Sequence, residues 1–242
     1  MSTLPRSSLS DQAAEAILAL IDEDDLGAGD ALPAAGELAK RFGVSVVVVR
    51  EAIAALAGRG ILVRSQGRET VVGRPGAEIL DSILRVRMRQ DGIAVDEFQQ
   101  CRAALEAQSA VLAATAPDAA ARAAALTPAL DAMRAAQDLD AFREADLAFH
   151  LALAGLAGNQ ALLLLLEALN TVVSHSLGEL WRRIADRDDA LARTIAHHEA
   201  IAAAVAGGDR DAAARAMAVH FLESAPDVDY GIVAPAAAGA TT

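Results

Sequence analysis

Four residues in the second half of the chain have the types and spacing of a metal site. Asp146 and His150 stand four apart in DLAFH, which on a helix places both side chains on one face. His198 falls in HHEAI, and His220 follows 22 residues later in AMAVH, on what reads as the next helix. One carboxylate and three imidazoles suit Zn²⁺ or a neighbouring divalent metal. Taken singly, each histidine reads more simply as a partly buried structural residue. The i,i+4 pair with two further histidines on later helices puts the metal reading on an equal footing.

The elements that must position these ligands are helices. Apolar residues make up 54% of the 242 residues and aromatics only 3%, and much of the apolar share is alanine, the strongest helix former. From residue 76 onward the spacing predicts helices near 77–90, 94–115, 118–137, 139–157, 160–184, 187–206 and 209–223. Asp91-Gly92, Ala116-Pro117, Gly158-Asn159 and Gly207-Gly208-Asp209 separate them. Within this all-α bundle Leu162, Leu165, Leu166 and Leu169, and the pair Phe142/Phe149, are read as core or dimer packing. Trp181 lines either the pocket or an interface.

The first 75 residues differ. Ser10 can cap a helix through AAEAILALIDE, AAGELAKRF fits a second, and Ser45 can cap a third, VVVVREAIAALAGRG. Four consecutive valines favour a strand, but Val49, Ile53 and Leu56 then fall on one helical stripe. ILVRSQGRETVVG reads as two strands around Gln66-Gly67-Arg68. Helix, turn, helix and hairpin in this order describe a winged helix-turn-helix, with the third helix placed for the DNA major groove. The pattern alone also accommodates a small α+β domain that binds no nucleic acid.

The fold class expected is therefore mainly α: a winged helix-turn-helix over 1–75, an all-helical domain with the candidate metal ligands over 76–225, which the resemblance given below makes the effector-binding and dimerisation domain, and a disordered low-complexity tail over 226–242. The formal charge of −12 is unevenly spread. Residues 36–75 carry seven basic groups (Lys40, Arg41, Arg50, Arg59, Arg64, Arg68, Arg74) against three acids (Glu37, Glu51, Glu69), a local excess of the sign that phosphate contacts require. One cysteine, Cys101, excludes an internal disulfide framework and fits a reducing compartment. MSTLPRSSLSDQ has no apolar signal core, and Ala161 to Leu166 is too short to span a bilayer. The expectation is a cytoplasmic protein with no membrane partner.

These motifs, in order, resemble GntR-type transcription regulators of the FadR-like branch, which carry an all-helical FCD ligand-binding domain. The resemblance covers about residues 9–223. It rests on the G-x-x-LP element from Gly29 to Pro33, ELAKRFGVS, VREAIAALAGRGI and SQGRETVV in the first part. In the second it rests on Arg102-Ala-Ala-Leu-Glu106, DLAFH, GNQALL, HHEAI and GDRDAAARAMAVH. The resemblance implies that Asp146, His150, His198 and His220 bind a divalent metal, Zn with Ni or Mn as alternatives. It selects His198 over His197, and leaves His197 and His175 as structural or solvated residues. It implies that Arg102 holds an effector carboxylate, the alternative being an ion pair with Glu106 on its own helix. It gives Asn170 a supporting hydrogen bond to that effector, against an exposed amide. On the DNA side Ser45, Arg50, Gly67 and Arg68 match the usual contacts.

Three positions depart from the pattern. Glu-Arg ahead of ELA is Ala35-Gly36, the first arginine of the recognition helix is Val46, and a wing glycine is Glu69. Each lost arginine costs about 1–3 kcal/mol if it paired with a base. The chain accordingly reads a different site through valine contacts to thymine methyls, binds DNA weakly, or has lost operator binding. The leading expectation is a homodimeric repressor, not an enzyme, that binds a pseudo-palindromic operator under control of a small carboxylate. The rivals are a metal or metabolite sensor with decayed DNA binding and a metal-dependent hydrolase.

Overall fold

The computed structural model describes residues 8–64, 69–176 and 189–231, the side chains of 174–176 excepted. Gly67, Arg68, Trp181, the His175 side chain and the stretch 177–184 expected to extend a helix lie outside the described residues. The chain divides into two compact units, Met1–Ile79 and Leu80–Thr242.

The first unit holds α1 (Leu9–Glu23), α2 (Ala35–Phe42), α3 (Val46–Gly58), β1 (Leu62–Arg64) and β2 (Thr70–Val72). Ser8, not Ser10, caps α1: its Oγ accepts from Asp11 N while Asp11 Oδ2 accepts from Ser8 N, a reciprocal capping box that closes two orphan donors. Gly43 ends α2 in the left-handed conformation at φ 68°, which costs glycine little. Ser45 caps α3 by accepting from Val48 N at 3.3 Å. The valine run is helical because burial of its inner member offsets the strand preference: Val49 is fully enclosed with Ile53 and Leu56 against Ile17, Leu20 and Leu38.

The strands pair antiparallel with Leu62 opposite Val72. The sequence pattern gives two strands here and no third. In the structure Ala31 bridges Val71, and Gly29 N and Leu32 N donate to Val72 O and Thr70 O, both at 2.8 Å. The G-x-x-LP segment thus runs along the free edge of the hairpin and covers it. At the hairpin base Gly73 N donates to Ile61 O, and a Cβ at Gly73 would stand 2.3 Å from Gly60 O.

α4 (Ala77–Asp91) contains the division between the units. The second unit continues with α5 (Val95–Ala113), α6 (Ala119–Ala135), α7 (Leu139–Leu156), α8 (Gln160–Ser176), α9 (Ala190–Gly207) and α10 (Arg210–Ser224). Acidic and amide side chains set the starts: Asp118, Asp138, Asn159 and Asp209 each accept from backbone N–H groups of the following first turn. The core joins Leu126, Met133, Phe142, Phe149, Leu153, Ile201, Val205 and Met217 with buried alanines of α5, whose small side chains let the helices approach closely. Leu162, Leu166 and Leu169 are buried as expected, whereas Leu165 is 42% exposed in the single chain.

Arg122, buried on α6, ties two helix ends together. Its Nη1 donates to Ala116 O just beyond α5, and its Nη2 donates to Ala206 O in the last turn of α9 at 2.9 Å. Residues 226–231, expected to belong to a disordered tail, pack on the bundle instead. Val228 is buried, Gln100 Nε2 donates to Asp229 O at 2.6 Å, and the Tyr230 ring meets Phe221 edge-on at 5.3 Å. Two apolar contacts and one hydrogen bond hold this stretch, while the expectation of disorder rests on the low-complexity APAAAGATT beyond it.

Candidate metal and effector site

Four helices of the second unit bring their chemistry to one buried point. α7 contributes Asp146 and His150, α9 contributes His198, α10 contributes His220 and α5 contributes Arg102 and Glu106, all buried. Each of His150, His198 and His220 offers a ring nitrogen within 4.8 Å of the other two. His198 Nε2 lies 3.2 Å from His150 Nε2 and 3.2 Å from Asp146 Oδ1, and His150 Nε2 lies 3.9 Å from that same oxygen. Asp146 therefore stands beside two members of the triad.

The outer nitrogens decide what the inner ones present. His198 Nδ1 faces Thr194 O at 2.7 Å, which places its proton there and leaves a lone pair on Nε2. His150 Nδ1 lies 2.6 Å from Glu106 Oε2, a charge contact without the alignment of a hydrogen bond. His220 Nδ1 has Ser224 Oγ at 3.5 Å. Asp146 Oδ1 is buried without a hydrogen-bond partner. Ring nitrogens of three imidazoles and a carboxylate oxygen thus converge in a buried site, where an unsatisfied polar atom is costly. A divalent cation satisfies such a set, and the donor types fit one.

Opposite charges hold one another in this cluster. Burial alone would raise the Glu106 carboxyl, but the Arg102 guanidinium and the His150 ring outweigh it and hold the value down to about 2. Burial likewise opposes ionisation of Asp146, and the contact with His198 and the charge on His150 overcome it, so its value is lowered. Burial pushes His150 down, yet the Glu106 charge beside it leaves the ring above its ordinary value. Burial and then the neighbouring His198 and His150 press His220 well below the imidazole range.

Arg102 takes up the ion pair that sequence reading held as the alternative: Nε and Nη2 donate to Glu106 Oε1 at 3.0 and 2.8 Å. Its Nη1 donates to Gln99 Oε1 at 3.0 Å, and its Cζ stands 5.8 Å over the Phe221 ring. Three N–H groups are engaged by these bonds, and a guanidinium has five, so two remain. Asn170 is buried rather than exposed, and its Nδ2 has no hydrogen-bond partner. His197 turns away to Glu223 at 3.1 Å. Glu199, the acid adjacent to His198 in sequence, is ion-paired with Arg134 at 2.6 Å and exposed.

Sequence reading missed Glu106 as a partner of His150. The signal available was only its i,i+4 spacing from Arg102, which says nothing about α7. Tyr230, whose phenol burial pushes up to about 12, was hidden in the tail.

In the first unit α3 presents Arg50 to solvent together with Val46 and Val47, at 37% and 63% exposure. Ser45 is exposed and spends its hydroxyl on the cap. Of the basic groups, Arg41 faces Glu23 and Asp24, each at 3.6 Å, which lowers the free positive charge of this face.

Comparison with known proteins adds the missing context. Residues 97–223 match the family described as "FCD domain", and residues 9–72 match "Bacterial regulatory proteins, gntR family". The chain is 32% identical over 228 residues to the "Putative L-lactate dehydrogenase operon regulatory protein" of Escherichia coli (strain K12), covering 91% of this chain and 86% of that protein. It is 30% identical over 226 residues to the "HTH-type transcriptional repressor NanR" of Citrobacter rodentium (strain ICC168), covering 90% and 84%. The solved "Streptococcus agalactiae GntR" shares the fold with a TM-score of 0.72 at 24% identity, over 90% of this chain and 99% of that one. No helix of the described residues is long and apolar enough to cross a membrane. A winged helix-turn-helix joined to a helical bundle with a buried histidine triad, matched in both halves, makes the chain a member of the GntR family, a DNA-binding transcription regulator with an FCD effector-binding domain.

Proposed function

We propose that this regulator is a cytoplasmic, homodimeric repressor released from a pseudo-palindromic operator by a small carboxylate that binds at a metal centre. Asp146, His150, His198 and His220 hold the metal, Zn²⁺ with Ni²⁺ or Mn²⁺ as alternatives. The single observation that carries this reading is the convergence of three buried imidazole nitrogens beside Asp146 Oδ1, which has no hydrogen-bond partner. The cation supplies the positive charge that a carboxylate and an adjacent hydroxyl oxygen seek. Arg102, through its two remaining N–H groups, holds the carboxylate in place, and Asn170 Nδ2 is a further donor for it.

The similarity to a protein named for an L-lactate dehydrogenase operon favours a 2-hydroxy acid as effector, with L-lactate the first to test. Similarity to a named repressor favours repression as the sign. Release requires that the effector bind one arrangement of the dimer better than the other. Catalysis is not part of this reading.

Selection of genomic DNA by the purified full-length chain, followed by fluorescence anisotropy with and without L-lactate and a chelator, tests it. Expected are one enriched palindrome, binding that weakens steeply with salt, and release by the acid in metal-loaded protein alone. No enrichment with soluble metal-loaded dimer sinks the operator reading and leaves a sensor with a decayed DNA-binding half. Enrichment with indifference to hydroxy-, keto- and dicarboxylic acids and to chelator sinks the metal-effector reading.

A further inference from the structure

The four valines of α3 divide into two pairs with different fates. Val49 is wholly enclosed and Val48 packs against the same core, while Val46 and Val47 stand out at 37% and 63% exposure. An α-helix turns 3.6 residues per turn, so Val46, Val47, Arg50 and Ala54 share one outward arc, and all four are exposed. The first turn of the helix, which enters the groove most deeply in a helix-turn-helix, therefore offers two branched apolar side chains and then one guanidinium. No polar side chain of that turn other than Ser45 is available, and its hydroxyl is committed to Val48 N.

In the major groove only thymine presents an apolar group, the C5-methyl; the edges of guanine, cytosine and adenine present hydrogen-bond donors and acceptors. A valine set against those polar edges would strip their water without replacing the bonds. Set against methyl groups, it gains apolar contact on both sides. We infer that Val46 and Val47 read thymine methyls, so that each operator half-site carries thymines where the start of α3 meets the groove, with Arg50 as the cationic anchor one turn on. This inference rests on the operator-binding reading.

The test uses the selected operator with single thymidines replaced by deoxyuridine, which removes only the methyl. Loss of one buried methyl contact weakens binding about four-fold. Deoxyuridine at one or two symmetry-related positions per half-site should have that effect, and the Val47→Ala full-length variant should be indifferent to it at one of them. Because Val47 is exposed, this variant keeps its fold, which circular dichroism checks. A specific operator whose affinity no deoxyuridine substitution changes overturns the thymine-methyl reading and leaves operator binding standing. Failure to select any operator overturns both.

Discussion

Glu106 Oε2 lies 2.6 Å from His150 Nδ1, across from one helix to the next, so the ring is held between a carboxylate behind it and Asp146 in front. The same Glu106 accepts twice from Arg102 through its other oxygen. One residue on α5 thereby joins the proposed metal ligand to the proposed effector arginine. Outer partners of this kind set the tautomer and basicity of a ligand ring.

Replacing Glu106 by Gln should therefore weaken metal binding about 10–100-fold with the four ligands intact. Competition against a chromophoric chelator gives the number. Unchanged affinity would reduce Glu106 to a structural partner of Arg102.

The same carboxyl makes stability depend on pH. In the folded chain it is held at about 2 against an ordinary value of 4.5, so its contribution is complete above that ordinary value and fades as pH falls toward the lower one. Urea unfolding of chelator-treated protein at pH about 7 and about 3 should show the advantage of wild type over Glu106→Gln shrinking at the acid end. A gap that stays constant contradicts the assignment.

Adjacent histidines should behave differently. His198→Ala removes a triad nitrogen and should cost metal affinity by at least about 100-fold, given that three or four ligands share the ion. His197→Ala removes a partner of Glu223 and should leave affinity within about two-fold. Equal losses would show that the triad is drawn from the wrong ring.

Tyr230→Ala, or truncation after Ala225, should lower the stability of the second unit by about 1–3 kcal/mol, the scale of losing a partly buried aromatic. The denaturation midpoint reads this directly. No change would mean that the segment does not pack in solution.

Gly73→Ala should destabilise the winged unit by about 1–3 kcal/mol, since the methyl group meets a backbone oxygen that cannot turn aside. DNA affinity should fall with it while metal affinity holds. Retention of both the thermal midpoint and operator binding would show that the hairpin base yields.

Much of this was legible in the residues because it is local. The Asp146/His150 spacing needs only a helix to share a face, and the acid and amide caps at Asp138, Asn159 and Asp209 mark their helix starts in any context. What the residues withhold is which helix lies beside which. Glu106 becomes a partner of His150 only once α5 packs on α7, and spacing leaves open whether Arg102 pairs with Glu106 or holds an effector. The Ala31–Val71 bridge joins positions 40 residues apart. The valine run was ambiguous for a related reason, since strand preference and helical stripe conflict and burial of Val49 decides between them. Val228 and Tyr230 sit in too polar a stretch to announce a core contact.

Arg122 sets a boundary on how the bundle can respond. It fastens the end of α5 to the end of α9, and at 1.5 Å of rise per residue those ends lie about 10 Å beyond Glu106 and about 12 Å beyond His198. Two helices pinned at one extremity cannot slide lengthwise past each other without breaking those bonds. They can only splay or close about the pin, like the legs of a pair of compasses. The largest displacement then falls at the free extremity, so a small change in separation at the histidines is magnified toward the start of α5.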